Sequence, residues 1–124
     1  MPITFKGEKR EMIRKSKKPV YTYDAKLVEV IDGDTYKLMV DLGFSIHHVV
    51  HVRIRGINTA EIYGAEAEEG FMVADYVRDM FLKAKKIVVE TQYIKTFARF
   101  EADVFLDGMD LAEHLLTEGF ADLS

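Results

Sequence analysis

Hydrophobic and polar positions alternate along the first half of the chain, and then the period changes. Residues 21–31 are rich in β-branched and aromatic side chains and read as a strand. Asp32-Gly33-Asp34 follows as a turn signal. Over residues 35–42, Tyr36, Leu38 and Val40 fall on one face and Lys37, Met39 and Asp41 on the other, until Gly43 breaks the run. Alternation resumes over 46–55. Ile46, Val50, Val52 and Ile54 take one side; His47, Val49, His51, Arg53 and Arg55 take the other. Three strands in succession predict a meander. The step then lengthens to three and four residues. Phe71, Ala74, Val77, Phe81 and Ala84 form the apolar side of an amphipathic helix over 65–84.

Residues 87–91 read as a short strand. Residues 99–106 read as another, with Phe100, Ala102, Val104 and Leu106 on one face, and Asp107-Gly108 is the next turn. Asp110 and Glu113 form a D-x-x-E start signal for a last helix, Leu111, Leu115 and Leu116 give its apolar side, and Gly119 suits its end. Three strands, a helix, two strands and a helix predict a mainly β, α+β fold. The closest architecture is a five-stranded OB-fold barrel with a helix between strands 3 and 4 and a C-terminal helix. Such barrels often bind nucleic acid on one face, but a fold alone assigns no function.

Charge refines this picture. Residues 1–18 carry seven Lys/Arg and two Glu, a balance of +5, whereas the rest carries ten Lys/Arg and nineteen Asp/Glu, a balance of −9. The chain therefore divides into a basic N-terminal tail over 1–20 and a domain over 21–124. The tail reads either as a solvated, disordered segment or as an arm gripping phosphate. Nonspecific nucleic-acid binding depends on phosphate neutralisation, so the acidic body counts against a tight, sequence-blind binder. It counts less against an enzyme that needs only a local cation site. The 124 residues contain no cysteine, which excludes disulfides, thiolate catalysis and Cys-ligated zinc. No apolar run is long enough to cross a membrane and no secretory signal follows the basic start, so a cytoplasmic or phage-encoded intracellular setting, with no membrane partner, is expected.

The candidate chemistry lies in four segments. These are Ile31-Asp32-Gly33-Asp34-Thr35, the run from Arg53 through Asn58-Thr59-Ala60-Glu61, Tyr63-Gly64-Ala65-Glu66-Ala67, and Arg99. A phosphodiester is an anion and resists attack. Its hydrolysis needs positive charge on the phosphorus-bound oxygens, a positioned water and help with the water's proton. Arginine suits the first task, because its planar fork matches two phosphate oxygens. A divalent cation held by carboxylate, amide and backbone oxygens adds charge. A glutamate beside it can orient or deprotonate water. Asp34, Asn58, Glu61, Arg53 and Arg99 together supply these parts, with Asp32 as an outer-shell oxygen acting through water. Each residue also has a plainer reading. Asp32 and Asp34 are ordinary turn residues, Arg53 and Arg99 suit a solvated sheet face, and Glu61 suits the start of a helix.

In this combination the sequence resembles the staphylococcal (micrococcal) nuclease family over roughly residues 25–121. The resemblance implies that Asp34 is the first metal-binding aspartate, that Arg53 and Arg99 are the two catalytic arginines, and that Asn58-Thr59-Ala60-Glu61 occupies the place of a usual Asp-Thr-Pro-Glu. It further implies Ca²⁺ as the cofactor, a backbone carbonyl ligand from Thr59, Glu61 as general base or water-orienting group, and DNA or RNA as substrate cut to 3′-phosphate ends. Lys95, Phe97 and Arg55 are the expected substrate contacts, Arg55 at the rim. Some positions depart from the family. Asn58 removes one negative charge, so metal binding is expected to be weaker rather than lost. Ala60 replaces proline, Phe97 replaces a phosphate-contacting tyrosine, and the segment between Glu61 and the helix is short. The family's last helix has no counterpart before Ser124, which implies a weaker grip on substrate. The alternative is a non-catalytic module on the same barrel that binds nucleic acid or protein.

Two other motifs carry less. His47 and His51 share a strand face but lie ~13 Å apart at the usual rise, too far for one ion, and His48 points the other way. Asp32-x-Asp34 also opens like an EF-hand loop, but Lys37 and Gly43 stand where that loop needs Gly and Glu. His114 is read as a surface or half-buried helix residue. Oligomeric state is left open.

Overall fold

The computed structural model describes residues 20–92 and 100–124. The basic tail lies outside them, apart from Val20. So do Lys95, Phe97 and Arg99.

A 13-residue strand, β1 (Val20–Asp32), organises the sheet. Its first half, from Val20 to Ala25, pairs antiparallel with β5 (Ile87–Gln92), and its second half, from Ala25 to Asp32, with β2 (Thr35–Asp41). One strand can serve two partners because it bends. Register shifts occur between Leu27 and Glu29 and between Val30 and Asp32, and such bulges add twist and curvature. β2 pairs with β3 (His47–Ile54), and β5 with β6 (Phe100–Leu106). A parallel pairing of β3 with β6, Val52 to Phe100 through Ile54 to Ala102, closes the ring. The result is a closed, five-stranded mixed barrel with two helices, OB-like in form.

The alternation read from the sequence sets the core. Tyr36, Leu38, Val40, Val52, Ile54, Val89, Ala102, Val104 and Leu106 are buried inside the barrel wall. Tyr36 is fully buried, and its hydroxyl donates to the Gly33 carbonyl at 2.6 Å, so no polar atom is stranded. Phe81 meets its ring edge-on at 5.0 Å. At the far end of β2, Phe44 (φ 53°) and Ser45 (φ 61°) take left-handed conformations in a tight turn closed by Ile46 N–H to the Gly43 carbonyl at 2.9 Å.

Helix α1 (Ala67–Lys83) lies over one end of the barrel. It buries Gly70, Val73, Ala74, Val77 and Phe81. The sequence placed Phe71 on this face, but Phe71 is 56% exposed. The face is turned toward Gly70 because backbone from another segment presses there: a Cβ on Gly70 would stand 2.0 Å from the Glu61 carbonyl oxygen. Only glycine lets the two backbones meet. Ile46 likewise leaves the apolar face expected of it and is 54% exposed beside the turn.

Short elements complete the chain. β4 is Ile57–Asn58, and β7 (Met109–Asp110) extends β6 as a hairpin. Helix α2 (Leu111–Thr117) starts on Asp110, whose carboxylate accepts from Ala112 N at 3.1 Å and Glu113 N at 3.4 Å. A cap of this kind contributes about 1 kcal/mol. Gly119 ends the turn after it with φ 81°. The chain then returns as β8 (Asp122–Leu123), pairing Ile57 with Leu123 and Asn58 with Asp122. Among the described residues, no helix is long and apolar enough to cross a membrane.

Candidate active site

The β1–β2 turn, the segment after β3, the start of α1 and the C-terminal return enclose a cleft of about 540 Å³. Asp32, Asp34, Arg53, Asn58, Thr59 and Glu61, residues from separate parts of the sequence, all line it.

Asp34 is the hub. It is 9% exposed, and each carboxylate oxygen is engaged: Thr35 Oγ1 donates to Oδ1 at 3.1 Å and Thr59 N–H to Oδ2 at 3.1 Å. Asp34 N–H in turn donates to Asp32 Oδ1 at 3.1 Å, the usual way an aspartate stabilises its own tight turn. The two carboxylates therefore sit side by side. Burial, then the hydrogen bond and charge of Asp34, push the Asp32 carboxyl up to about 6. Burial also pushes Asp34 up, but its hydrogen bonds from Asp32, Thr59 and Thr35 and the Arg53 charge outweigh that and hold it below the usual carboxylate range.

Arg53 reaches the cleft from the last residues of β3. Nη1 donates to the carbonyls of Ile54 at 3.2 Å and Ile57 at 3.0 Å. Nη2 donates to Asn58 Oδ1 and lies 3.5 Å from Asp34 Oδ2. Both terminal nitrogens are thus committed to the protein, and Asn58 holds the arginine in place.

Two glycines seat the loop that carries Asn58, Thr59 and Glu61. A Cβ on Gly33 would stand 2.6 Å from Thr59 Oγ1 and 2.7 Å from Val73 Cγ1. Gly70 leaves room for the Glu61 carbonyl in the same way. Glu66 Oε2 then accepts from Glu61 N–H at 3.2 Å. Thr59 Oγ1, packed against Gly33, is buried with no hydrogen-bond partner among the described residues.

Other expected residues fall elsewhere. Arg55 does not line the cleft. Its guanidinium lies 3.6 Å from Asp103, and its Nη2 donates to the Glu90 carbonyl at 3.3 Å, bridging the barrel wall. Arg99, Lys95 and Phe97 lie outside the described residues; Phe100, the residue after Arg99, pairs with Val52, next to Arg53. His47, His48 and His51 are exposed on β3. His114 is half-buried, and its Nε2 lies 2.7 Å from the Tyr76 hydroxyl.

Sequence reasoning missed part of the lining. Glu69, Phe120 and Asp122 also face the cleft, as does Glu66 of the segment 63–67, to which no role was given. Glu66 and Glu69 look like acids placed at a helix start, where the dipole favours them. Their second role depends on how the preceding loop folds. Asp122 arrives through the two-residue strand β8, too short to show a period.

The cleft thus holds six carboxylates, from Asp32, Asp34, Glu61, Glu66, Glu69 and Asp122, against the single Arg53 guanidinium, among the described residues. No three His, Asp or Glu side chains among them converge into a metal cage. The side-chain oxygens gathered here are nevertheless hard donors: the two adjacent carboxylates of Asp32 and Asp34 and the Asn58 amide, with Thr59 meeting Asp34 through its backbone N–H and Arg53 Nη2 beside both. That set fits a Ca²⁺ ion whose shell is completed by water or substrate oxygens. In comparisons with known proteins, no family model matches the chain and no curated protein matches it, so the case for function rests on these residues and their geometry.

Proposed function

We propose that the protein is a metal-dependent nuclease, hydrolysing phosphodiester bonds of DNA or RNA on an OB-fold of the staphylococcal nuclease type. The observation that carries this reading is the meeting of Asp34, Arg53, Asn58, Thr59 and Glu61 in one polar cleft. Asp34, Asn58 and the Thr59 carbonyl would hold Ca²⁺, with Asp32 behind a water. When bound, the cation supplies positive charge to the phosphate and offsets the surplus of carboxylates.

The chain's own residues do the rest. Arg53 stands beside that site, and its Nη2 must leave Asn58 and Asp34 to meet a phosphate oxygen. Its Nη1 can keep the Ile54 and Ile57 carbonyls, so the guanidinium moves little. Glu61 orients a water or takes its proton as the water oxygen bonds to phosphorus. The bond to the leaving 5′ oxygen breaks, and that oxygen takes up a proton. The 3′-phosphate product and the roles of Arg99, Lys95 and Phe97 follow from the resemblance alone.

A non-catalytic module on the same barrel is the second reading. The excess of carboxylates and the commitment of both Arg53 terminal nitrogens favour it. Thermal denaturation separates an occupied site from an inert one, because a ligand of the native state raises Tm. The nuclease reading expects Ca²⁺ and a nucleotide bisphosphate to raise Tm together. No shift with either would favour a domain that binds protein rather than nucleic acid.

A further inference from the structure

The end of the barrel opposite the cleft opens in a second hollow of about 240 Å³. Buried Val40, Val52, Val89 and Ala102 line it, and exposed Leu42 and Phe100 stand on its rim. Among the described residues, no Asp, Glu, Lys or Arg lines it. Engineered cavities of about 150 Å³ accept benzene, so a phenyl ring fits the space.

A phenyl ring is offered two residues from the rim. Phe44 is 99% exposed, the most exposed large apolar side chain among the described residues. Its left-handed φ is unusual for a bulky residue and holds the side chain out on a hydrogen-bonded turn. Leu42 and Ile46, on either side, are 41% and 54% exposed. At 99% exposure, Phe44 does not occupy the hollow of its own chain.

Knob and hollow on one rim are the two halves of a self-complementary contact. We propose that this end of the barrel is a homodimer interface, in which Phe44 of each copy enters the apolar hollow of the other about a two-fold axis. A buried aromatic contributes about 150–250 Å². Two such rings, the walls they cover and the flanking Leu42 and Ile46 side chains amount to roughly 1,000 Å², the size of a weak, concentration-dependent interface. This inference is independent of the nuclease reading, since the interface lies at the other end of the barrel.

Sedimentation of the full chain from low micromolar to near-millimolar concentration tests it. The expected mass rises from one chain to two. Phe44→Asn keeps the turn, because Asn tolerates the left-handed region, and is expected to stay a single chain with an undiminished Tm. His48→Glu, which charges the wall of the hollow, is expected to do the same. The chain has no tryptophan, so the emission of Phe44→Trp reports this position alone and should shift to the blue as concentration rises. A parent that stays a single chain at every concentration would overturn the proposal. So would a dimer that persists in Phe44→Asn, or an emission shift seen only on adding lipid vesicles or single-stranded DNA.

Discussion

The two ends of the barrel are built on the same pair of strands and could hardly differ more. β2 starts at Thr35 beside the cleft and ends at Asp41 beside the apolar hollow, on the order of 20 Å away. At the first end, the turn satisfies itself. Asp32 accepts from Asp34 N–H, Tyr36 donates to the Gly33 carbonyl, and Asp34 ties down Thr59. At the second end, the turn places Phe44 and Ser45 in the left-handed region and closes on backbone bonds between Leu42, Gly43 and Ile46, with the Phe44 side chain left in solvent. The first lining is mainly polar, and among the described residues the second has no Asp, Glu, Lys or Arg. Strand alternation builds the wall common to both. What distinguishes the ends is turn chemistry and the small residues that let segments approach.

Substitutions should therefore act on one end and spare the other. The largest effect is expected from Arg53→Ala. Loss of one preorganised charge donor to a reacting oxyanion typically costs about 10²–10³ in rate. Cleavage should fall by that order while sedimentation is unchanged. Next is Gly70→Ala. Helix propensity alone would make it stabilising by about 1 kcal/mol. The Glu61 carbonyl stands 2.0 Å from where the methyl would lie, so overpacking of about 1–3 kcal/mol should win, seen as a lower urea midpoint. Cleavage should fall with it, because Glu61 moves.

Asn58→Asp sharpens the polar end. It adds a carboxylate beside Asp34 and should lower the Ca²⁺ concentration for half-maximal activity; an unchanged half-saturation would reject a ligand role for this position. At the apolar end, Phe44→Asn relieves left-handed strain and should stabilise the single chain by roughly 1 kcal/mol, with cleavage untouched. The smallest effect is in pH. Asp32 is raised from an ordinary value near 4 to about 6, so the folded state holds its proton longer than the unfolded state does. Its contribution is full below the unfolded value and is lost as pH rises through about 6. Metal-free protein should therefore weaken over that window, and Asp32→Asn should flatten the slope. Asp34, held low, acts in the opposite sense at more acid pH, losing its contribution as pH falls.

Strand positions were legible because the barrel is two-faced. Tyr36, Leu38, Val52, Ile54 and Val104 alternate in the sequence and are buried in the structure. The Asp110 cap was legible for a local reason, since its side chain bonds to backbone only two and three residues on. The candidate residues Asp34, Arg53, Asn58 and Glu61 could be nominated from the sequence, and their meeting in one cleft depends on barrel closure. Less visible were contacts made by an absence of side chain. Gly33 and Gly70 matter because Thr59 and Glu61 press against them, and no periodicity announces a neighbour from another segment. A glycine inside an amphipathic helix is the one hint, because it sacrifices propensity and so asks for a packing reason. Phe71 was misplaced for the same reason: once Gly70 faces inward, Phe71 turns out.

The most direct test of the polar end as a catalytic site is hydrolysis of single-stranded DNA by the purified protein, with Ca²⁺ and with chelator, beside Arg53→Ala and Glu61→Ala. The expected result is Ca²⁺-dependent cleavage that both substitutions abolish while the fold persists. No cleavage by the parent with any divalent cation, or cleavage that survives both substitutions, would contradict it.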